Sequence, residues 1–339
     1  MTLAPSSLSV SMSTRGKILA WAILLPIAAA GLWLQHPWQH PGRNAQPTSC
    51  QLPVYLSTSN TGGFLTVPGY GFTAAPGNTF IGAAKGADKR WSYDATLARW
   101  LPVDQRMISS DGNWWVYATP LQPSVSASFH LVDRRGSDRT VWTGSGRAIP
   151  LGWTASGAVF IHVGASPQFQ AEYLLVNPST GTLRSLTPIQ GEPAGVDATG
   201  LWGVRNLVAG LESDSHAPIH STVLRTDTST GAMVTWWDKT IPALVLVLGF
   251  DGDGRPILGI NGIPERYVLL ASPNTETEIT GDGGAIEFVP VSTLGDAHGV
   301  WFGDFNGAVW LWHAGQGLKR VAQVSTQSTD ALVIAGPCR

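Results

Sequence analysis

Beyond residue 50 the chain alternates between short apolar runs and compact polar turns, and no long stretch keeps a helical period. The runs are rich in Val, Ile, Leu and Trp and are bounded by Gly, Asp, Asn and Pro, which reads as β-strands joined by tight turns. One turn recurs. Ser110-Asp111-Gly112 precedes NWWVYA, Ala155-Ser156-Gly157 precedes AVFIHV, and Ala198-Thr199-Gly200 precedes LWGV. Gly252-Asp253-Gly254 precedes RPILGI, and Ala297-His298-Gly299 precedes VWFG. The glycines stand 45, 43, 54 and 45 residues apart.

A second hairpin interleaves with the first. It is clearest in HLVDRRGSDRTVW (130–142), YLLVNPSTGTLRSL (173–186) and VLRTDTSTGAMVTWW (223–237), and weaker at 267–280 and 309–324. Two hairpins in a period of about 45 residues make four antiparallel strands per unit, the size of a propeller blade. Six units fit, near 52–103, 104–144, 147–187, 192–239, 243–281 and 288–324; the first is divergent, VYLSTSNTGGFLTV followed by RWSYDATLARWLPV. With its D-G turn and V-D-x-x-T-G hairpin, the region 50–339 resembles the WD40-like and TolB-like β-propellers, although a regular GH…WD pair is absent. The resemblance implies a fold, since such propellers serve as scaffolds and as enzymes. The expected architecture is all-β: a six-bladed β-propeller of four-stranded antiparallel blades, preceded by one N-terminal transmembrane helix. A spare strand at 331–336 would pair with the first unit and hide the ring's open edge.

The N-terminal segment differs from the rest. Ile18–Leu34 carries no charge over 17 residues, about 25 Å as a helix, at the short end for crossing a bilayer. Arg15 and Lys17 precede it, and Trp21 and Trp33 sit near its ends, so 1–17 is expected in the cytoplasm and the remainder outside. A single-pass signal anchor is the expectation; a signal peptide cleaved after Ala28-Ala29-Ala30, giving a secreted chain, is the alternative. Residues 35–49 form a Pro-rich linker in which Pro37 prevents His36 and His40 from sharing a helix face. The two cysteines, Cys50 and Cys338, flank all six units, and in an exported chain a disulfide between them is expected.

Charge narrows the function. Charged residues make up 13% and the net charge is −2, which excludes a broad nucleic-acid footprint. Asp251-Gly252-Asp253-Gly254 starts like a calcium loop, but Arg255 and Gly262 stand where later ligands belong, so a turn is the better reading. Asp214, His216 and His220 have metal-ligand spacing with Pro218 against a helix, and solvated loop histidines are preferred. His298 after Asp296 suits a side-chain to backbone bond, and His130 and His162 lie in strands as satisfied, half-buried rings. No motif nominates a Ser/His/Asp triad. The tryptophans, among them Trp310 and Trp312 on one strand face, are expected to pack between blades. No cofactor and no metal are expected.

Two long connections, 68–89 and 206–220, are assigned to the junction of the second and third strands in units one and four. They offer Tyr70, Phe72, Phe80 and Lys85, and Glu212, Asp214, His216 and His220, as ligand-binding candidates at one channel mouth. The expected function is an extracytoplasmic, membrane-tethered, monomeric module binding a protein or carbohydrate without catalysis. The competing class is a propeller enzyme, a lyase or glycan hydrolase, with its site at the channel mouth.

Overall fold

The computed structural model describes residues 49–75, 90–119, 126–164, 171–208, 218–262, 265–281, 288–324 and 330–339. Among them the strands form seven sheets in chain order. Sheets 4, 5 and 6 are four-stranded antiparallel meanders: Arg147–Thr154, Gly157–Val163, Ala171–Val176 and Leu183–Leu186; then Glu192–Val196, Gly200–Val208, Ile219–Asp227 and Met233–Ile241; then Leu244–Phe250, Pro256–Asn261, Arg266–Ser272 and Thr275–Ile279. Sheet 7 (Pro290–Asp296, Gly299–Asp304, Ala308–His313, Gly317–Gln323) repeats this and gains Gly69–Tyr70 as a parallel fifth strand. Sheet 3 has Trp114–Thr119, Ala127–Asp133 and Asp138–Gly144, its first-strand position reduced to a single bridge from Ile108 to Trp115.

The region 52–103, expected to be one unit, is divided between two sheets. Sheet 1 holds Cys50–Leu56, Thr61–Val67 and Phe72–Ala74, and its first position is filled by Leu332–Ile334 from the far end of the chain. Sheet 2 is the hairpin Ser92–Asp94 and Arg99–Leu101. Successive sheets are neighbours: first strands pack on first strands from sheet 4 to sheet 7 and then onto Leu332–Ile334, and sheet 1 contacts sheet 2. This succession of antiparallel sheets, with the two chain ends joined in sheet 1, is a β-propeller-like architecture.

The strands are apolar without alternation because a separate core layer fills each space between sheets. Within Gly157–Val163, Ala158 and Phe160 pack towards sheet 3, whereas Val159 and Ile161 pack towards sheet 5. Leu311 faces sheet 1, and Trp310 and Trp312 face sheet 6, as expected of the tryptophans. Cys50 and Cys338 form a disulfide with Cα atoms 5.7 Å apart. Residues 1–48, including the apolar run 18–34, lie outside the described residues; among those described, no helix is long and apolar enough to cross a membrane.

Candidate functional site

Antiparallel order fixes two faces. First-to-second and third-to-fourth connections share one, here the turn face; second-to-third connections and the links between sheets share the other, here the mouth face.

On the turn face the recurrent D-G turns are built alike. Asp197 accepts from the amides of Thr199 (2.7 Å) and Gly200 (2.8 Å), from Trp202 Nε1 (2.8 Å), and from Arg225 Nε and Nη2 (2.7 and 2.9 Å). Burial alone would raise its pKa; the Arg225 hydrogen bonds and the other donors reverse this and hold the carboxyl below the usual range. Asp251 accepts from the amides of Asp253 and Arg255 and from Arg255 Nε, so the calcium-like segment is a strand-connecting turn. Asp296 receives the His298 amide at 2.7 Å, the side-chain to backbone bond expected there. Between sheets 5 and 6 these turns enclose a cleft of about 520 Å³, walled by Trp236, Arg225, Arg255 and Asp253. Its buried carboxylates are already paired with its guanidinium groups, so it offers hydrogen bonds beside an aromatic ring with little unbalanced charge, a surface suited to a neutral polyol.

The mouth face is different. Ile149, Leu244 and Leu246 near the starts of first strands and Val289 just before one are exposed, as are Leu207 at the end of the second strand of sheet 5 and Phe305 in the second-to-third connection of sheet 7. Asp304 caps the amides of Asn306 and Ala308, closing the tight turn that leaves Phe305 outward. Exposed charges share this end: Arg147 and Glu192 on first strands, Glu172 and Arg266 at the starts of third strands, and Asp238, Lys239 and Glu278 near the ends of fourth strands.

Of the expected site residues, Tyr70, Phe72 and His220 are among the described residues. Because Leu332–Ile334 supplies the first strand of sheet 1, Thr61–Val67 is its third strand, and the segment starting at Pro68 leads from the third strand to the fourth rather than from the second to the third. Tyr70 pairs with Gln323 of sheet 7, and half-buried Phe72 pairs with Leu65. His220 lies at the start of a third strand, on the mouth side, with Nε2 3.3 Å from Asp238 and Nδ1 3.2 Å from Thr240. Phe80, Lys85, Glu212, Asp214 and His216 lie outside the described residues, as do His36 and His40.

Sheet 3 carries a constellation that no motif announced. Ser128 Oγ lies 2.7 Å from His130 Nε2, and His130 Nδ1 lies 3.0 Å from Asp138 Oδ1. Tyr117 donates to the other Asp138 oxygen and stacks on His130, with ring centroids 4.4 Å apart. Burial, then the Asp138 hydrogen bond, push the Tyr117 pKa up. Ser128 Oγ also lies 2.7 Å from Thr119 Oγ1. Ser128 and His130 are two apart on a third strand and so share a face. That spacing is visible in the sequence; the contribution of Asp138 from the next strand is not. His162, by contrast, bonds the Ser145 carbonyl at 2.8 Å.

No family model and no curated protein matches the chain. Among solved structures it is similar to the beta-propeller domain of the Trilobed protease from Pyrococcus furiosus (11% identity, 64% of this chain and 69% of that one, TM-score 0.47). It is also similar to oligogalacturonate lyase from Vibrio parahaemolyticus (11% identity, 81% and 85%, TM-score 0.38). A third is a putative 6-phosphogluconolactonase from Bacteroides fragilis (10% identity, 84% and 98%, TM-score 0.38). At such identities and scores they carry no argument about this chain's activity; the architecture rests on its own sheet order.

Proposed function

We propose that this chain is an exported, membrane-tethered, seven-bladed propeller that binds a protein partner through its mouth face without catalysis. The observation that carries the reading is the group of exposed apolar side chains at one end: Ile149, Leu207, Leu244, Leu246, Val289 and Phe305. Exposed apolar side chains, most of them on or beside the innermost first strands, with charged residues on the outer strands around them, suit a protein interface with an apolar centre and a polar rim. The tether agrees with it. The disulfide holds Cys50 beside Cys338, whose amide bonds Asp296 on the turn face, so the chain enters the propeller at the end opposite the mouth. The proposed anchor at 18–34 would join the propeller there through the linker 35–49. The seventh blade is argued from sheet 2, whose hairpin presents Arg99 to the next sheet as the outer hairpins of sheets 3 and 4 present Arg139 and Arg184.

The test is a photo-crosslinking amino acid at Leu207, Val289 or Phe305, with Val234 on the outer strand of sheet 5 as the control. Adducts of one defined mass from the mouth positions, absent at Val234, are expected. Adducts at Val234 alone, or at no position, would overturn the assignment.

The relay Ser128–His130–Asp138 favours a second reading, hydrolysis with Ser128 as nucleophile and His130 as base. A fluorophosphonate probe decides it. Labelling of Ser128 that disappears in His130→Gln supports hydrolysis, and an unlabelled Ser128 in the folded protein removes it.

A further inference from the structure

We propose that a cleft between sheets 7 and 1, on the turn face, binds a small organic anion with an apolar body, such as an aromatic or medium-chain carboxylate. The cleft has a volume of about 210 Å³. Its polar lining is cationic or hydrogen-bond donating: Lys319, Arg320, His298, His313 and the Gln316 amide. Among its described lining residues none is Asp or Glu. Neither Lys319 nor Arg320 has an ion-pair partner among the described residues.

Strand register explains how an apolar floor comes to lie beside these charges. Leu311 pairs with Lys319 and His313 with Gly317, so Leu311, His313 and Lys319 share the strand face turned to sheet 1. Trp312 and Leu318 take the other face, in the core against sheet 6. Val67 and Pro68 supply the opposite wall at the point where sheet 1 hands its chain to sheet 7. His298 closes the end. Behind it, Asp296 lies 3.4 Å from His298 Nδ1, but its oxygens already hold the amides of His298 and Cys338 at 2.7 and 2.9 Å. The carboxylate keeps its charge but stands behind His298 and does not line the cleft, so Lys319 in front meets no acidic side chain among the described lining residues. An apolar pocket with a few convergent donors is the usual form of a small-molecule site, and an anionic head on Lys319 would gain a charge-assisted bond.

The site is separate from the mouth and does not depend on the protein-partner reading. It is tested on the full chain in lipid nanodiscs by ligand-observed fluorine NMR with 4-(trifluoromethyl)benzoate, against the corresponding benzyl alcohol and benzylamine and against empty nanodiscs. Saturable binding of the benzoate above the empty-disc background is expected, with little for the alcohol and none for the amine. Lys319→Gln should weaken it by about tenfold, the order expected for one charge-assisted contact. Arg320 pairs with Trp310 on the face turned to sheet 6, so Arg320→Gln should weaken binding far less than Lys319→Gln, and Arg266→Gln, an equal charge change in sheet 6, should leave it intact. The proposal fails if the benzoate does not saturate, if the alcohol or amine binds as tightly, or if the Lys319 and Arg266 variants bind alike while melting like the parent.

Discussion

Asp197 shows at the residue scale what the recurrent turn carboxylates do. Five donors between 2.7 and 2.9 Å surround it, two of them from Arg225, 28 residues further along the chain. Its place in a turn before Gly200 was legible; its guanidinium partner was not, because that pairing depends on strand register. Asp197→Asn leaves Arg225 half-buried without its counter-charge, and a loss of about 3–5 kcal/mol is expected by urea denaturation. The same environment predicts an acid response. Asp104 is also depressed, because Arg106 and Arg90 outweigh the burial that would raise it. Asp330 is depressed as well, its burial outweighed by bonds from Thr58 and Ser59. Folded-state values below the unfolded value of about 3.9 mean that the stabilisation is complete above that pH and is lost as pH falls through the depressed values. Stability should therefore drop below about pH 4, and Asp197→Asn should show a shallower acid slope than the parent. An unchanged slope would mean that Asp197 titrates alike in both states.

At the scale of elements, nearly every hairpin was legible, because each turn carries its own chemistry. The spaced glycines show why. Gly157 has φ +146°, and a Cβ there would stand 2.0 Å from the Val176 carbonyl oxygen; at Gly299, φ is +137° and the distance to the Trp312 oxygen is 2.3 Å. Both are first residues of second strands, pressed on the end of the third. Gly157→Ala should cost on the order of 3 kcal/mol, read as a shift in the denaturant midpoint without a change in slope. The bonds between sheets were less visible. Arg99, Arg139 and Arg184, each on the outer strand of its sheet, donate to the carbonyls of Arg134, Pro178 and Thr228 in the next sheet at 2.7, 2.8 and 3.0 Å. Each arginine follows its own hairpin turn by a few residues, so the repeat was present in the sequence, but its acceptor lies one sheet away. Arg184→Ala should lower stability by about 1–2 kcal/mol, and loss of amide protection in the 228–231 turn ahead of the other hairpins would confirm the contact.

For the whole molecule, the one misframed element has a physical cause. The spare apolar run at 331–336 does pair with the first unit, as its sequence led us to expect; what the sequence did not reveal is the consequence, that this donated strand takes the first position and makes the 54–67 hairpin the second and third strands of sheet 1. The joint it makes is short. Leu332–Ile334 pairs only with Val54–Leu56, although flanking bonds extend it: Ala335 donates to the Pro53 carbonyl at 2.9 Å, and Gln51 donates to the Arg339 carbonyl at 2.8 Å. Asp330 fixes the upper end by accepting the amides of Thr58 and Ser59 at 2.7 and 3.0 Å, and Arg339 reaches Tyr93 of sheet 2 at 2.6 Å. Across this joint runs a disulfide with a sequence separation of 288. Loop-closure entropy for so long a loop gives roughly 5–6 kcal/mol, and residual structure in the unfolded chain reduces what is observed. Cys338→Ser should accordingly cost about 2–5 kcal/mol. The loss should be local first: hydrogen exchange should accelerate at Leu332–Ile334 and Val54–Leu56 while Trp202 and Val223, deep between sheets 5 and 6, stay protected. Non-reducing peptide mapping of the full chain should find both cysteines bonded, and a reporter enzyme fused after Arg339 should be active only outside the cytoplasm. If both thiols are free and Cys338→Ser melts with the parent, the hydrogen bonds of the short strand alone hold the two ends together, and the cysteines give no support to export.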